Sequence, residues 1–229
     1  MDIRAIRELI FSLNLKRTDI TPVIDCGHGG MNPVTGLYTT PGKRSQNWTG
    51  KIPPVHGIDI YYEGMGNRQI GNKTVLNLTG LGLSPKILNH DWKDASIRYR
   101  CDYVNKYYNT KRHFGTSIHS NAGGGTGIEV FTSPGDTPAD PMATISVEMF
   151  KIVFPEYADR IRSDYRDGDP DKEESFGILT GTAIPFFLPE AFFMDQKDEC
   201  QKILMDPEGR EKIAAWHTLT IIEIINKLY

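Results

Sequence analysis

Residues 23–30 read VIDCGHGG, a short apolar run that breaks into a Gly-His-Gly-Gly loop. With Thr21 and Pro22 before it, the run predicts a buried strand, and open α/β sheets carry their chemistry at the carboxyl ends of such strands. A glycine-rich loop there suits three uses. Its bare N–H groups can cradle a phosphate, it can be a tight turn, or it can present His28 as a metal ligand. The eight residues alone do not choose among these.

Working outward, Ile3, Ile6, Ile10 and Leu13 recur at helical spacing and predict an N-terminal helix within residues 1–18. Asp2, Arg4, Arg7 and Glu8 interrupt that stretch, which therefore lacks the clean apolar region of a signal peptide. Residues 31–62 are dense in Gly, Pro, Thr and Asn and show no period. So long an inserted loop is expected to be either functional or partly mobile; Tyr38, Trp48, Tyr61 and Tyr62 suggest a flap beside the cleft, with a surface decoration as the rival reading. A helix is expected from about Asn67 to Leu78, its signal weakened by Gly66, Gly71 and two asparagines. PKILN (85–89) reads as a short strand, and Ser96 caps a helix with Ile97, Cys101, Val104 and Tyr108 along one side. HFGTSIHS (113–120) and GIEVF (127–131) are strands, and Pro141–Phe154 is a helix facing the core with Met142, Ile145, Met149 and Ile152. Residues 155–175 form a solvated excursion, FGILT (176–180) and IPFFLP (184–189) read as extended, and a last helix runs from Pro207 to Leu228. Strands interleaved with helices predict one α/β domain over residues 1–229, with a mostly parallel twisted sheet covered on both faces.

Composition narrows the function classes. The chain has 229 residues, 39% hydrophobic and 24% charged, which suits a folded globular protein and excludes disorder. A formal net charge of -3, without a basic arm or zinc-finger pattern, gives no broad ground for binding nucleic acid or an anionic membrane. No apolar run approaches the roughly 18 residues that span a bilayer, so no stable membrane insertion is expected. Cys26, Cys101 and Cys200 are odd in number and far apart, so neither a disulfide framework nor a structural zinc site follows. Cys101 and Cys200 read as small core residues; Cys26, beside the loop, has a rival reading as a thiol nucleophile.

Three polar groups fall just after strands or before a helix: His28 in DCGHGG, Glu63 in YYEGMGN and His119 in SIHSNA. Two imidazoles and a carboxylate are the ligand set of a catalytic zinc that keeps one position open. The spacing is long-range, so the sheet has to bring the three together, and His56 and Asp59 are rival donors to Glu63. No G-x-G-x-x-G or G-K-[ST] accompanies the loop, which weakens the phosphate reading. Asp25 is placed to receive the second N–H of a ligand histidine. Glu190 follows an apolar run and a proline, and a buried carboxylate there needs a partner. Glu129 alternates with Ile128 and Val130 and is either a solvated strand residue or a substrate contact. His90 and His113 carry no role, and His217 on the final helix reads as a satisfied partner at the core edge.

Over residues 22–228 the chain resembles the zinc-dependent N-acetylmuramoyl-L-alanine amidases of the Amidase_3 family. VIDCGHGG resembles the family's opening strand and first histidine, and EGMGN its Glu followed four residues later by Asn. DASIRYRCDYVN (94–105) and SIHSNAGGGTGIEVF (117–131) resemble the segments before and around the second histidine. IPFFLPEAFFMDQKDECQKI (184–203) and REKIAAWHTLTIIEII (210–225) resemble the closing strand and helix. The resemblance implies that His28, Glu63 and His119 hold Zn2+ and that Glu190 is the catalytic general base. It implies hydrolysis of the amide between N-acetylmuramic acid and L-alanine, with the peptidoglycan glycan strand and stem peptide as substrate. Four features depart from the family pattern: the long 31–62 connection, Gly71 where alanine is usual, LPE before the glutamate, and Asp195 in place of Asn.

The residue types fit that chemistry. An amide is a poor electrophile and neutral water a poor nucleophile; zinc polarises the one and acidifies the other, while a carboxylate moves the proton. Rival readings are another zinc-dependent peptidoglycan peptidase or deacetylase, and a non-catalytic wall-binding module. A wall hydrolase without an export signal is expected either to lack that signal in the sequence given or to wait in the host cytoplasm for release by a holin, as phage endolysins do. Otherwise its place is periplasmic or extracellular. A monomer is expected.

Overall fold

The computed structural model describes residues 2–229. Its centre is a six-stranded sheet in the order β2-β1-β3-β6-β4-β5. The strands are β1 (Thr21–Cys26), β2 (Lys86–Leu88), β3 (His113–Asn121), β4 (Ile128–Thr132), β5 (Lys172–Glu173) and β6 (Phe186–Phe193). All neighbours run parallel except β4 and β6, which are antiparallel. β1, β3 and β6 lie inside the sheet and are covered on both faces, hence their near-continuous apolar sequences.

Alternation along the strands divides the core. Ile24, Ile118 and Phe187 meet α1 (Ile3–Ser12), α2 (Glu63–Gly80), α4 (Asp140–Val153) and α7 (Pro207–Leu228), in a large cluster around Phe150 and Trp216. Val23, Leu88, Phe186 and Leu188 point the other way, to a smaller cluster under α3 (Ile97–Tyr107) and α5 (Gly177–Gly181). α6 (Lys197–Glu199) runs through a π turn, Cys200–Leu204, toward α7. This is a single α/β domain with helices on both faces of a mixed, mostly parallel sheet. Among the described residues no helix is long and apolar enough to cross a membrane.

Four expectations need correction. α1 stops at Ser12 instead of running toward residue 18, because Leu13 turns extended and the Lys16 backbone N–H donates to the Asn226 side chain on α7. α2 begins at Glu63, four residues early, and its glycines serve contact rather than weakness. A Cβ on Gly64 would stand 1.9 Å from the Gly29 carbonyl oxygen, and one on Gly71 would stand 2.6 Å from Cys26 Sγ. FGILT forms the short helix α5, not a strand; Gly177 and Gly181 lie so close to Ile97 and Cys101 of α3 that a Cβ would clash. A short apolar run is equally compatible with either structure, and here packing against α3 decides. Finally, residues 155–175 are not wholly solvated, since they supply a 3₁₀ turn, Pro155–Arg160, the edge strand β5 and the buried Asp171.

The 31–62 segment is likewise no loose flap. Tyr61 is fully buried, Ile60 packs with Tyr38 and Tyr62, and Trp48 lies against the main core with its Nε1 donating to Cys200 Sγ at 3.4 Å.

Candidate metal centre

The strand β1 ends at Cys26, and the next two residues deliver His28. Its backbone is left-handed, with φ 62°, a conformation that costs a non-glycine residue energy and gathers at functional sites. The loop is pinned from several sides. Asn89 Nδ2 donates to the carbonyls of Cys26 and His28 at 2.8 and 2.7 Å, and Asn67 Nδ2 donates to that of Gly27 at 3.2 Å. Gly29 N–H donates to Thr40 Oγ1 at 2.9 Å. Gly27 must lack a side chain, since a Cβ there would stand 2.2 Å from His119 Cε1.

Glu63 enters on the first residue of α2, where the helix dipole favours an anion. The 31–62 segment sets it there: the N–H groups of Glu63 and Gly64 donate to the Lys43 carbonyl at 3.0 Å and to Tyr38 Oη at 2.9 Å. His119 lies on β3 itself, not beyond its end. Its Nδ1 is 3.1 Å from Glu63 Oε1, and His28 Nε2 is 3.3 Å from the same oxygen. Ser120 N–H also donates to Glu63 Oε1 at 3.2 Å. The two imidazoles meet edge to face with centroids 4.9 Å apart.

His28, Glu63 and His119 each offer a donor atom, all within 4.8 Å of one another. Bond lengths of about 2.0–2.2 Å to a tetrahedral ion put its ligand atoms roughly 3.3 Å apart, close to the 3.1 and 3.3 Å between Glu63 Oε1 and the two imidazole nitrogens. Glu63 is 1% exposed, and its Oε2, like His28 Nε2, is buried without a hydrogen-bond partner. Burial alone would raise the Glu63 pKa, but the two histidines outweigh it and hold the carboxylate ionised, well below its ordinary range. The arrangement fits a divalent cation.

Glu190 sits on β6 directly beside His119 on β3. Its Oε2 is also buried and unpartnered, and burial pushes its pKa up to about 8. The four sequence candidates are thus brought together. The rivals are not: His56 Nδ1 accepts the Tyr62 N–H at 3.0 Å, and Asp59 accepts from Val55 N–H and Thr49 Oγ1. Asp25 does not serve a ligand histidine either. Fully buried, it receives Arg100 Nη1 at 3.1 and 3.2 Å and Ser117 Oγ at 2.7 Å. Cys26 is fully buried, and that burial lifts its thiol pKa to about 12, which removes the nucleophile reading. His217 is buried, but its Nε2 has no partner among the described residues, so it is not the satisfied histidine expected. Asp195 accepts the N–H groups of Gly123 and Gly124 at 2.9 and 2.8 Å and shapes the loop after β3.

Three contributors escaped the sequence reading: Asn89, Lys43 and Arg100. Asn89 has the left-handed φ of 53° that asparagine tolerates, and Lys43 acts through its carbonyl, which no side-chain pattern reports. Arg100 lay inside a motif already noted, but its partner Asp25 is remote in sequence. On the β2 side of His28 a cavity of about 470 Å³ opens, lined by Asn89, His90, Asp94, Tyr99, Arg100 and Tyr103.

Comparisons with known proteins agree with this geometry. The model of the family Amidase_3, N-acetylmuramoyl-L-alanine amidase, matches residues 23–223. The chain is 36% identical over 89 residues to the N-acetylmuramoyl-L-alanine amidase CwlM of Bacillus licheniformis, covering 38% of this chain and 31% of that protein. It is 27% identical over 182 residues to a sporulation-specific N-acetylmuramoyl-L-alanine amidase of Bacillus subtilis (strain 168), covering 79% and 58% respectively. Among solved structures, an N-acetylmuramoyl-L-alanine amidase from Clostridium difficile 630 superposes with TM-score 0.67 at 19% identity, over 93% of this chain and 100% of that one. The matches span 31% and 58% of the lengths of those two curated relatives.

Proposed function

The chain belongs to the Amidase_3 family of N-acetylmuramoyl-L-alanine amidases, and from that premise we propose that it is a zinc enzyme hydrolysing the amide between N-acetylmuramic acid and L-alanine in peptidoglycan. Two histidines and a glutamate with one position left open are the donor set of catalytic zinc rather than of a structural site or of magnesium, which prefers oxygen. Bound there, zinc supplies a Lewis acid that acidifies water and polarises an amide carbonyl.

The remaining work falls to this chain's own residues. Glu190 takes a proton from the attacking water on a carboxylate oxygen and returns it to the departing alanine nitrogen, base first and acid second. The observation that carries this role is its place beside His119 with a buried, unpartnered Oε2. A cation at the triad draws the raised Glu190 pKa back toward neutrality, where a general base works best. Asn89, Asn67 and Thr40 keep the His28 loop from relaxing, and the Ser120 N–H positions the Glu63 carboxylate.

Product analysis is the test. Zinc-loaded protein acting on purified peptidoglycan is expected to release stem peptides with a free N-terminal alanine, leaving glycan strands intact by mass spectrometry. Reducing sugar released with stems still attached refutes the proposal, and so does cleavage between stem residues or loss of acetyl groups.

A further inference from the structure

Glu129 of β4 is paired directly with Glu190 of β6, in an antiparallel register that puts both side chains on one face of the sheet. Such cross-strand neighbours have Cβ atoms about 4.5–5.5 Å apart. His119, Glu190 and Glu129 therefore form a row across three strands, and the last of them is not bare. Glu129 Oε1 accepts from Arg162 Nε at 2.8 Å and from Lys172 Nζ, while Oε2 accepts from Asn121 Nδ2. One carboxylate thus holds two cations beside the general base.

We propose that Arg162 and Lys172, held by Glu129, form a subsite that binds a free carboxylate of the stem peptide; this rests on the amidase reading above. Neutralising Glu129 needs one cation, not two. Arg162 spends only Nε on Glu129, and its two terminal nitrogens have no partner among the described residues. Its guanidinium lies over the Phe193 ring with Cζ 5.5 Å from the centroid, and its backbone N–H donates to the Ile128 carbonyl at 2.9 Å. The Nε bond and the ring contact orient the guanidinium, and its Nη edge has no partner among the described residues. The side chains of Arg162 and Lys172 are 46% and 28% exposed, so both remain within reach of a ligand. Of the acids nearby, Asp164 pairs with Arg166 while Asp171 accepts from Thr132 and Glu173 from the Gly135 N–H, so none of them takes the terminal nitrogens of Arg162.

An open guanidinium edge with an ammonium beside it suits a carboxylate, bound through charge-assisted hydrogen bonds. A stem whose second residue is isoglutamate carries such a group one residue beyond the alanine. At about 3.3–3.6 Å per extended residue, it lies roughly 7 Å from the scissile nitrogen, comparable to one strand spacing plus a side chain.

Two substrates that differ only in this group test the idea: muramoyl-L-alanyl-D-isoglutamate and muramoyl-L-alanyl-D-isoglutamine. With the zinc-loaded full chain, KM for the carboxylate form is expected to be lower by about tenfold, the size of one charge-assisted contact. In Arg162→Gln/Lys172→Gln the two KM values are expected to converge, through a rise for the carboxylate form alone. Equal KM values in the unaltered chain overturn the proposal, as does a preference that survives the double substitution. If the double variant fails to fold, Arg162→Gln, which leaves Lys172 on Glu129, is measured for the same partial convergence. If neither substrate is cleaved, the amidase reading fails. Calorimetric titration with L-alanyl-D-isoglutamate and L-alanyl-D-isoglutamine then decides the subsite separately: tighter binding of the carboxylate supports it and equal binding overturns it.

Discussion

Replacing Glu190 by Gln exchanges one carboxylate oxygen for an NH2 group at nearly constant volume, so the packing of β6 against β3 is left as it is. Gln cannot accept a proton, and loss of a general base lowers turnover ~10²–10⁴-fold. Zinc content is expected to stay near one per chain, because the proposed donor atoms belong to His28, Glu63 and His119. Stability gives a second and opposite readout. Burial lifts the Glu190 pKa from 4.5 to about 8 in the metal-free fold, so the folded state resists ionising it while the unfolded chain does not. The cost is absent below about pH 4.5 and grows as pH rises to about 8. Metal-free Glu190→Gln is therefore expected to melt higher than the metal-free parent at pH 8 and no differently at pH 4. Metal analysis, muropeptide release and thermal melts at the two pH values cover all three expectations. A variant that sheds its zinc makes the carboxylate a ligand. One that keeps full activity refutes the base assignment, and one with no stability gain at pH 8 refutes the burial argument.

Three further outcomes follow from the packing. Gly71→Ala would put a methyl 2.6 Å from Cys26 Sγ and is expected to cost about 1–3 kcal/mol in denaturant unfolding. Cys26→Ala is expected to suppress that cost while keeping hydrolytic activity; absence of coupling between the two substitutions would contradict the contact. Trp48→Ala is expected to destabilise by about 2–3 kcal/mol, short of a fully buried tryptophan, since Trp48 is only partly buried. It should alter action on intact peptidoglycan and on a small muramoyl peptide equally, and a selective loss on the polymer would restore the flap. Burial lowers the pKa of His217 from 6.5 to about 3, so the fold holds it neutral; its share of stability is present above about pH 6.5 and fades as pH falls toward 3. His217→Leu should flatten that acid limb of a melting-temperature profile, and an unchanged limb would assign it to other groups.

How much was legible can be argued residue by residue. Strands β1 and β6 were readable because burial on both faces leaves a short apolar run, and in β1 that run breaks directly into a glycine-rich loop. His28, Glu63 and His119 could be singled out because each sits in a short segment resembling a family motif, and the structure brings them together. What failed was whatever depended on remote partners. Glycine in a helix reads as weakness until Gly29 and Cys26 are seen pressing against α2. FGILT reads as extended until α3 is seen to receive it. Asp25 sits three residues from His28, yet Arg100 and Ser117 take its carboxylate. Aromatic residues in a Gly- and Pro-rich segment look like a substrate surface, but Tyr61 and Trp48 spend their apolar area inside the protein.

The topology also explains why the donors meet where they do. From β1 the chain crosses by way of α2 to β2 at the sheet edge, then returns by way of α3 to β3 on the far side of β1. α2 packs against one face of the sheet and α3 against the other. Two crossovers leaving in opposite directions open a crevice at the carboxyl ends of β1 and β3, where open α/β sheets bind their ligands. His28 stands on one lip and His119 on the other. The outgoing crossover begins with Glu63 at the N-terminus of α2, so its helix dipole and its carboxylate arrive in the crevice together. That placement has α2 starting against the sheet end rather than over it. In this chain the 31–62 segment holds it there, through the Lys43 carbonyl and Tyr38 hydroxyl that receive the first two N–H groups of the helix. The long insertion is therefore a brace for the third ligand, and its apolar packing is what makes the brace stiff.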